Sequence, residues 1–426
     1  MNNNIIFRRA TNNSDRNNII NLLYRVFAPQ RVDELADVFF QHFPGLENKN
    51  WFVAENTDTK EIVSVFVLIP WTWEMNGIEL KVAEKGLVGT DEKYRNRGIM
   101  KSLSRTLDDE LLRGGYDLAV IQGIPGFYHR LGYHYAVPLA NHINLPLHVI
   151  PDVCPDSLFD FRIAGDKDIP FLMKADDLYR AGRFISAKRS ERSWRYIIRE
   201  SRETECGSDI VIMTRKKSSE AYYFRAPFHG FGNGLILSEA SENMTSEALA
   251  AMFVYVRNEA VKKGKPYIRL DLPCDSPAAV TALSAGALEE PSYAWQVKIP
   301  DKVRLLEKMK PVFEKRMAES CFRTFSGRLC FDFYTEQVTL SWANGKLIGA
   351  RREGCQEAEA VFHIASDLFP SLCLGHRTWR ELRHNRPDIF PSDLYIRMNP
   401  KRSADPSGML FDVLFPAERS WCYLNY

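Results

Sequence analysis

The chain has no G-x-x-x-x-G-K-[ST] loop, so the lysine and magnesium-binding hydroxyl of nucleotide hydrolysis are missing. It has no G-x-G-x-x-G either, which leaves a dinucleotide fold little support. No apolar run is long enough to span a bilayer. The opening Met1-Asn2-Asn3-Asn4-Ile5-Ile6-Phe7 lacks the core of a signal peptide. The 8 cysteines show no C-x-x-C and no Cys/His ligand spacing, so neither a metal site nor a disulfide framework is expected. They read as reduced, mostly buried thiols of a cytoplasmic protein. Charge of one sign is also scarce. Lys+Arg number 56 and Asp+Glu 54, a net +2, which gives no global drive toward nucleic acid or an anionic membrane.

What is present is an ordinary globular composition, 45% hydrophobic over 426 residues. That length suits about three domains at roughly 150 residues each. The most informative segment is Val88-Gly89-Thr90-Asp91-Glu92-Lys93-Tyr94-Arg95-Asn96-Arg97-Gly98-Ile99-Met100. It reads as an extended run, a short basic loop and the start of an amphipathic helix, since Met100, Leu103, Leu107 and Leu111 share one face. Such a loop gathers free N–H groups and the positive end of a helix dipole, which favours a phosphate or pyrophosphate. Gly98 allows close approach because it has no Cβ. Arg95-x-x-Gly98-x-Met100 resembles the acyl-CoA pyrophosphate loop of the Gcn5-related N-acetyltransferases (GNAT), [QR]-x-x-G-x-[GA], with Met100 in place of the small residue. Alone, the loop is a weak signal, and its bland reading is a plain strand–turn–helix with a basic surface.

A second segment follows in the order that family requires. After the apolar strand Tyr116–Ile121 comes Pro125-Gly126-Phe127-Tyr128-His129-Arg130-Leu131-Gly132-Tyr133, which resembles the family's fY-x-x-x-G-[FY]. The resemblance implies that Tyr128 sits beside the CoA sulfur and protonates the leaving thiolate. A phenol, neutral near pH 7, suits that role. An isolated tyrosine is otherwise a half-buried core residue.

The chain also echoes itself. Phe7-Arg8-Arg9-Ala10 returns as Phe161-Arg162-Ile163-Ala164, an offset of 154 (161 − 7), and Leu22-Leu23-Tyr24-Arg25 returns as Asp177-Leu178-Tyr179-Arg180, an offset of 155 (180 − 25). The echoes point to tandem related domains. The second copy has strand-like Ile210–Met213, Tyr222–Arg225 and Tyr267–Leu270 and a helix near Ser246–Lys262. It lacks the loop, so it reads as a degenerate copy unable to hold CoA. Pro146, Pro151 and Pro155 mark an extended linker, and a second break falls near Pro300. Beyond it the pattern predicts a helix over Asp301–Met317 capped by Asp301, and strands at Arg328–Tyr334, Val338–Trp342 and Lys346–Arg351 with an Asn344-Gly345 hairpin turn. Helices are expected near Ala358–Phe369 and Trp379–Asn385.

The whole chain resembles the enhanced intracellular survival (Eis) family of bacterial acetyltransferases. Tyr94–Met100 fits that family's x-R-x-R-G-[LI]-[LM], which accounts for Met100, and Phe127–Tyr133 fits its [IF]-Y-x-R-[FL]-G-Y. Leu374-Gly375…Glu381-Leu382 and Leu414-Phe415-Pro416…Trp421 are less specific landmarks. The resemblance implies an α/β (α+β) chain: an active GNAT domain (1–150), a degenerate one (151–297) and a sterol-carrier-protein-like domain (298–426). It implies a homo-oligomer, a hexamer, with acetyl-CoA as cosubstrate and no metal. In this reading Val88, Gly89 and Thr90 pair with the pantetheine amides. The amides of Asn96, Arg97, Gly98, Ile99, Met100 and Lys101 hold the pyrophosphate, and a backbone N–H near Val88 or Gly89 polarises the carbonyl. Arg95 and Arg97 add charge, although solvated arginines are the commoner fate.

The resemblance further implies that the C-terminal carboxylate, here on Tyr426, takes the proton of the amine. The tail Ser420–Asn425 is aromatic-rich and uncharged, as a packed end would be. The competing base is Glu84, at the position of the catalytic glutamate of histone-type members, and its plain reading is a solvent-facing strand residue. Phe27, Phe39, Phe40, Trp71 and Trp73 are candidates for the acceptor pocket, though each type is more often core. Aromatic walls and a carboxylate suit a cationic amine such as an aminoglycoside, a polyamine or a lysine side chain. A carrier of apolar ligands, or a CoA-binding interaction protein, with vestigial acetyltransferase domains is the alternative.

Overall fold

The computed structural model describes residues 4–152, 158–230, 232–393 and 406–426. The first part of the chain supplies β1 (Ile5–Arg9), α1 (Asn13–Phe27), α2 (Val32–His42), β2 (Trp51–Asn56), β3 (Ile62–Met75), β4 (Ile78–Thr90), α3 (Ile99–Arg113), β5 (Leu118–Ile121), β6 (His134–Ala140) and β7 (Ile143–Pro146). Asn76 and Gly77 both have positive φ, the geometry of a two-residue hairpin turn, and join the long β3–β4 pair. The sheet is covered on both faces. Leu22, Leu23, Leu35 and Phe39 of α1 and α2 pack on one side, and Leu103, Leu107 and Leu111 of α3 pack on the other with Phe52 and Phe66.

The second part supplies β8 (Phe159–Ile163), α4 (Ile169–Ala181), β9 (Ile185–Ala187), α5 (Glu191–Arg199), β10 (Ser208–Arg215), β11 (Ala221–Pro227), β12 (Leu235–Leu237), β13 (Glu239–Ala240), α6 (Ser246–Lys262), β14 (Tyr267–Leu270), α7 (Pro277–Ser284), β15 (Leu288–Glu289) and β16 (Tyr293–Lys298). Helix α6 and strand β14 fall at their expected residues. The sequence echo has a physical counterpart. Arg8 grips Asp15 through two hydrogen bonds of 2.8 and 2.6 Å, and Arg162 grips Asp168 through two of 2.7 and 2.6 Å. Each aspartate also accepts a backbone N–H, from Thr11 at 2.8 Å and Gly165 at 2.9 Å.

The strand orders correspond, and the two parts exchange a strand. The first sheet runs β1-β2-β3-β4-β5-β16-β6, while the second part forms β8-β10-β11-β13 and β12-β14-β7-β15. Strand β16, the last of the second part, is inserted between β5 and β6. Strand β7, the last of the first, is inserted between β14 and β15. Trp295 of β16 is fully buried against Trp71 and Trp73, both ring pairs at 5.7 Å. The linker expected around Pro146–Pro155 thus begins as a paired strand. Pro155 itself lies outside the described residues.

The last part holds α8 (Lys302–Lys308), α9 (Lys310–Ala318), β17 (Gly327–Asp332), β18 (Gln337–Ala343), β19 (Lys346–Arg351), β20 (Ala360–His363), α10 (Phe369–Cys373), α11 (Trp379–Asn385), β21 (Phe390–Asp393) and α12 (Pro406–Leu414), with sheet order β19-β18-β17-β20-β21. Asn344 and Gly345 form the expected turn, with φ of 49° and 72°. Three expectations are corrected. The helix over 301–317 is two helices, because Pro311 has no N–H to continue the first and instead opens α9. Ala358–Phe369 is not a helix: Ala360–His363 pairs in parallel with β17, burying Val361 and Phe362. Cys330 and Cys355 are joined in a disulfide. Of the other described cysteines, Cys373 and Cys422 are buried, Cys206 is half-buried, and Cys274 and Cys321 are exposed. Among the described residues no helix is long and apolar enough to cross a membrane.

Candidate active site

Strand β4 parts from its neighbour in mid-course. It pairs with β5 only from Val82 to Glu84, yet runs on to Thr90. A register shift lies beyond, with Leu87 at φ 45°. Among the described residues the β5-facing edge near Val88, Gly89 and Thr90 therefore has no strand beside it. An extended ligand with amide groups can pair there. Gly89 serves helix packing, since a Cβ there would lie 3.3 Å from Leu23 and 3.6 Å from Phe27 of α1.

The chain then turns through Asn96 and Gly98, both at positive φ (61° and 74°), into α3. Gly98 is the N-cap and offers no side chain, so the N–H groups of Ile99, Met100 and Lys101 point outward without an intrahelical acceptor. No acid lies in the first turn. A Cβ on Gly98 would meet nothing within 4 Å, so the space in front is open. The arginines are exposed, as solvated arginines would be. Arg95 Nε donates to Thr90 O at 3.2 Å and Arg97 lies 5.2 Å over the Tyr94 ring. The corresponding helix of the second part, α6, is capped by a side chain and carries an acid. Thr245 caps α6 by accepting from Ala248 N at 3.2 Å, and Glu247 occupies its first turn. The donor set of the first part fits a pyrophosphate.

Tyr128 opens a short 3₁₀ turn and is buried. Its ring lies on Gly123 so closely that a Cβ there would sit 2.1 Å from it. The Gly123 carbonyl is held by Gln296 Nε2 at 2.8 Å and by the Tyr293 hydroxyl, both from the exchanged strand β16. Burial pushes the Tyr128 phenol up to about 12, so it is fully protonated at neutral pH.

Glu84 is not the solvent-facing residue expected. It is 2% exposed, because this sheet has helices on both faces. Burial raises its carboxyl from 4.5 to about 7, opposed by hydrogen bonds to Tyr426 and Gln122 and by the nearby Trp71 indole. The indole contact falls short of hydrogen-bond geometry, and Glu84 Oε2 and Trp71 Nε1 are both buried without a partner. Tyr426 Oη donates to Glu84 Oε1 at 2.7 Å, and Gln122 Nε2 donates to Tyr426 Oη at 2.7 Å and to Glu84 Oε1 at 3.2 Å. The Tyr426 ring meets Phe39 at 5.7 Å, Trp71 at 6.0 Å and Phe43 at 6.4 Å. Its main-chain oxygen accepts from Arg225 Nη2 at 2.8 Å.

The other aromatic candidates do not join this cluster. Phe40 stacks on Trp51 at 4.2 Å, Trp73 is core against Trp295, and Phe27 faces Gly89. Sequence reasoning missed Gln122 and Arg225. Gln122 follows the strand that leads to Tyr128, which was the one available signal. Among the described residues no group of three or more His, Cys, Asp or Glu is arranged to hold a metal ion.

Residues 7–136 match the family model described as Acetyltransferase (GNAT) domain. This part of the chain is a GNAT acetyltransferase domain. The protein is thus an enzyme of the N-acetyltransferase type, and GNAT domains use acetyl-CoA as cosubstrate. No curated protein matches the chain by sequence. Solved structures share its fold over nearly the full length. A GCN5-related N-acetyltransferase from Anabaena variabilis ATCC 29413 is 14% identical, with TM-score 0.68, covering 98% of this chain and 99% of that one. Another from Kribbella flavida is 13% identical (TM-score 0.67, 99% and 100%). Eis1 from Mycobacterium abscessus is 15% identical (TM-score 0.61, 99% of each).

Gly98→Asp adds a side chain and a negative charge in front of the α3 amides. Isothermal titration is expected to show acetyl-CoA binding lost while the fold persists, and unchanged affinity would remove this cradle from the site. Glu84 binds a proton in the folded state between about pH 4.5 and 7 that the unfolded chain releases. Its carboxyl thus costs stability as pH rises through that window. Glu84→Gln should gain on the wild type across it, by up to about 1.4 kcal/mol per pH unit. Urea midpoints that differ by a constant amount from pH 4.5 to 7.5 would show that Glu84 is ionised throughout.

Proposed function

We propose that the protein transfers acetyl from acetyl-CoA to a primary amine of a cationic acceptor, with Tyr128 as general acid and the carboxylate of Tyr426 as general base. The observation that carries this reading is the burial of Tyr426 at the GNAT domain, its ring against Phe39 and Trp71 and its main-chain oxygen held by Arg225. The pyrophosphate lies on the amides of Asn96 to Lys101 and the pantetheine along Val88, Gly89 and Thr90. The neutral amine attacks the thioester carbonyl, its proton passes to the Tyr426 carboxylate, and the C–S bond breaks as the Tyr128 phenol protonates sulfur. Burial raises the Tyr128 phenol to about 12, so it keeps its proton until a thiolate forms beside it.

A cation suits the acceptor side. Glu84 Oε2 lacks a partner, and the Phe39 and Trp71 rings add negative faces. Aminoglycosides, polyamines and lysine side chains share this chemistry. A second reading makes Glu84 the base, favoured by its carboxyl near 7. It is weakened because Oε1 is already engaged by Tyr426 and Gln122. We take the chain as Eis-like: an active GNAT domain (1–150), a degenerate one (151–297) and a sterol-carrier-protein-like domain (298–426), assembling as a cytoplasmic homo-oligomer. The closed N-terminus of α6 supports the degenerate assignment.

Tyr128→Phe should lower turnover roughly a hundredfold and leave acetyl-CoA affinity within a factor of about two, the pattern of a lost general acid. A variant that keeps its rate across pH removes Tyr128 from the mechanism. Adding a few residues after Tyr426 displaces the carboxylate and should abolish amine acetylation with acetyl-CoA binding intact, while Glu84→Gln retains most activity. A tolerant C-terminus with an inactive Glu84→Gln enzyme gives the base role to Glu84.

A further inference from the structure

A line of buried charge crosses the second part of the chain and ends at the site of the first. Asp176 Oδ1 accepts from Arg189 Nε at 3.0 Å and Nη2 at 2.5 Å. Arg189 Nη1 donates to both oxygens of Glu239, at 2.9 and 2.8 Å, and Glu239 Oε1 accepts from Arg225 Nη1 at 2.9 Å. These four side chains are between 0% and 4% exposed. The line then leaves the second part. Arg225 Nη1 donates to Leu424 O at 3.1 Å and Nη2 to Tyr426 O at 2.8 Å, while Nε is fixed by Ser208 Oγ at 2.7 Å.

Stability alone does not account for such a line. Buried ion pairs gain little over well-packed apolar side chains of the same volume, because desolvation offsets most of the attraction. What the line supplies is direction: an arginine fork held on both sides and aimed at one main-chain oxygen. Its origin is visible in the repeat. Glu239 stands 155 residues after Glu84 (239 − 84), the offset of the sequence echo. Glu84 is paired across strands with Ile69, and Glu239 with Arg225. The last residue is thus held by both copies of one position: its hydroxyl by Glu84, its main-chain end through Arg225 by Glu239.

We propose that Arg225 is a positioning residue for the acetyl transfer, so that the second copy, which has lost its own anion site, acts as the holder of the first copy's base. This inference rests on the reading of the Tyr426 carboxylate as that base. The groups facing the end of the chain are Glu84 from β4, Gln122 after β5, Tyr196 from α5, Cys206 ahead of β10, Arg225 from β11 and Glu239 from β13. Arg225 is the cation that meets the end directly. It favours the ionised carboxylate, and its removal leaves the negative Glu239 nearby, so both effects raise the pH at which the base becomes active.

The test uses full-length Arg225→Met and Arg225→Lys. Glu239 keeps Arg189 in both, and unchanged acetyl-CoA affinity reports an intact first domain. Two quantities are read: the rate at which carboxypeptidase A releases Tyr426 from the folded protein, and turnover against pH with whichever of spermidine, an aminoglycoside or a lysine peptide the wild type acetylates. Arg225→Met should release Tyr426 at least about tenfold faster. It should lose turnover roughly a hundredfold, as a misplaced reactive group does, and move the acid limb up by about one pH unit, with KM for acetyl-CoA unchanged. Arg225→Lys should recover part of each. Equal release and an unmoved acid limb in Arg225→Met overturn the positioning role. Faster release with full turnover shows that Arg225 holds the end but that the end is not the base, which overturns the reading beneath it.

Discussion

The reciprocal exchange of β7 and β16 is the constraint on which the rest of the molecule depends. Each sheet is completed by a strand that belongs, in chain order, to the other part. A strand inserted between two others brings hydrogen bonds on both edges, and Trp295 brings a large apolar side chain into the core of the first sheet. Separating the two parts would open both sheets at once. The exchange also reaches the chemistry. Gln296 and Tyr293 of β16 hold the Gly123 carbonyl, and Gly123 is the floor on which the Tyr128 ring rests.

The C-terminal segment runs along α4 and β9 of the second part. Trp421 N donates to Ile185 O at 2.9 Å and Phe184 N donates to Arg419 O at 2.7 Å. Tyr179 stacks on Tyr423 at 4.4 Å and donates its hydroxyl to Trp421 O at 3.1 Å. These contacts fix the approach of the last residues before Tyr426 reaches Glu84. The burial of so many rings in one short tail accounts for its lack of charged residues, since an unpaired charge here would be costly.

The parts of this arrangement that were legible in the sequence are those decided locally. Helix α3 declared itself by three- and four-residue spacing, the basic loop by Gly98, and the β18–β19 hairpin by Asn344-Gly345. Glu84 was misread because strand alternation distinguishes core from solvent only when one face is wet, and here helices cover both. Ala358–Phe369 has helical spacing of its apolar residues, but the unpaired edge of β17 took Ala360–His363 as a strand. Tertiary pairing outweighed local preference. Strand exchange leaves no local mark, because β7 and β16 would read the same in either sheet. Arg225 and Gln122 acquire their roles only when residues some 200 and 300 positions away arrive, which no spacing rule encodes.

The two copies show how one substitution in a strand pair redirects a carboxylate. Opposite Glu84 stands Ile69, which offers no hydrogen bond and no charge. Desolvation then has no cation to oppose it, and the carboxyl is driven up to about 7 and meets neutral partners, a phenol and an amide. Opposite Glu239 stands Arg225, with Arg189 on the other side. There the carboxylate lies between two guanidinium groups and fixes one of them in direction. Both carboxylates are buried, 2% and 1% exposed, so what differs between them is the residue they face. The first copy keeps a soft, titratable group beside an open anion cradle. The second caps the corresponding helix with Thr245, carries Glu247 in its first turn, and sets its carboxylate between two arginines, one of which reaches the last residue of the chain. The exchanged strands tie the two parts, so that Arg225 of the second stays in register with Tyr426 and Glu84 of the first.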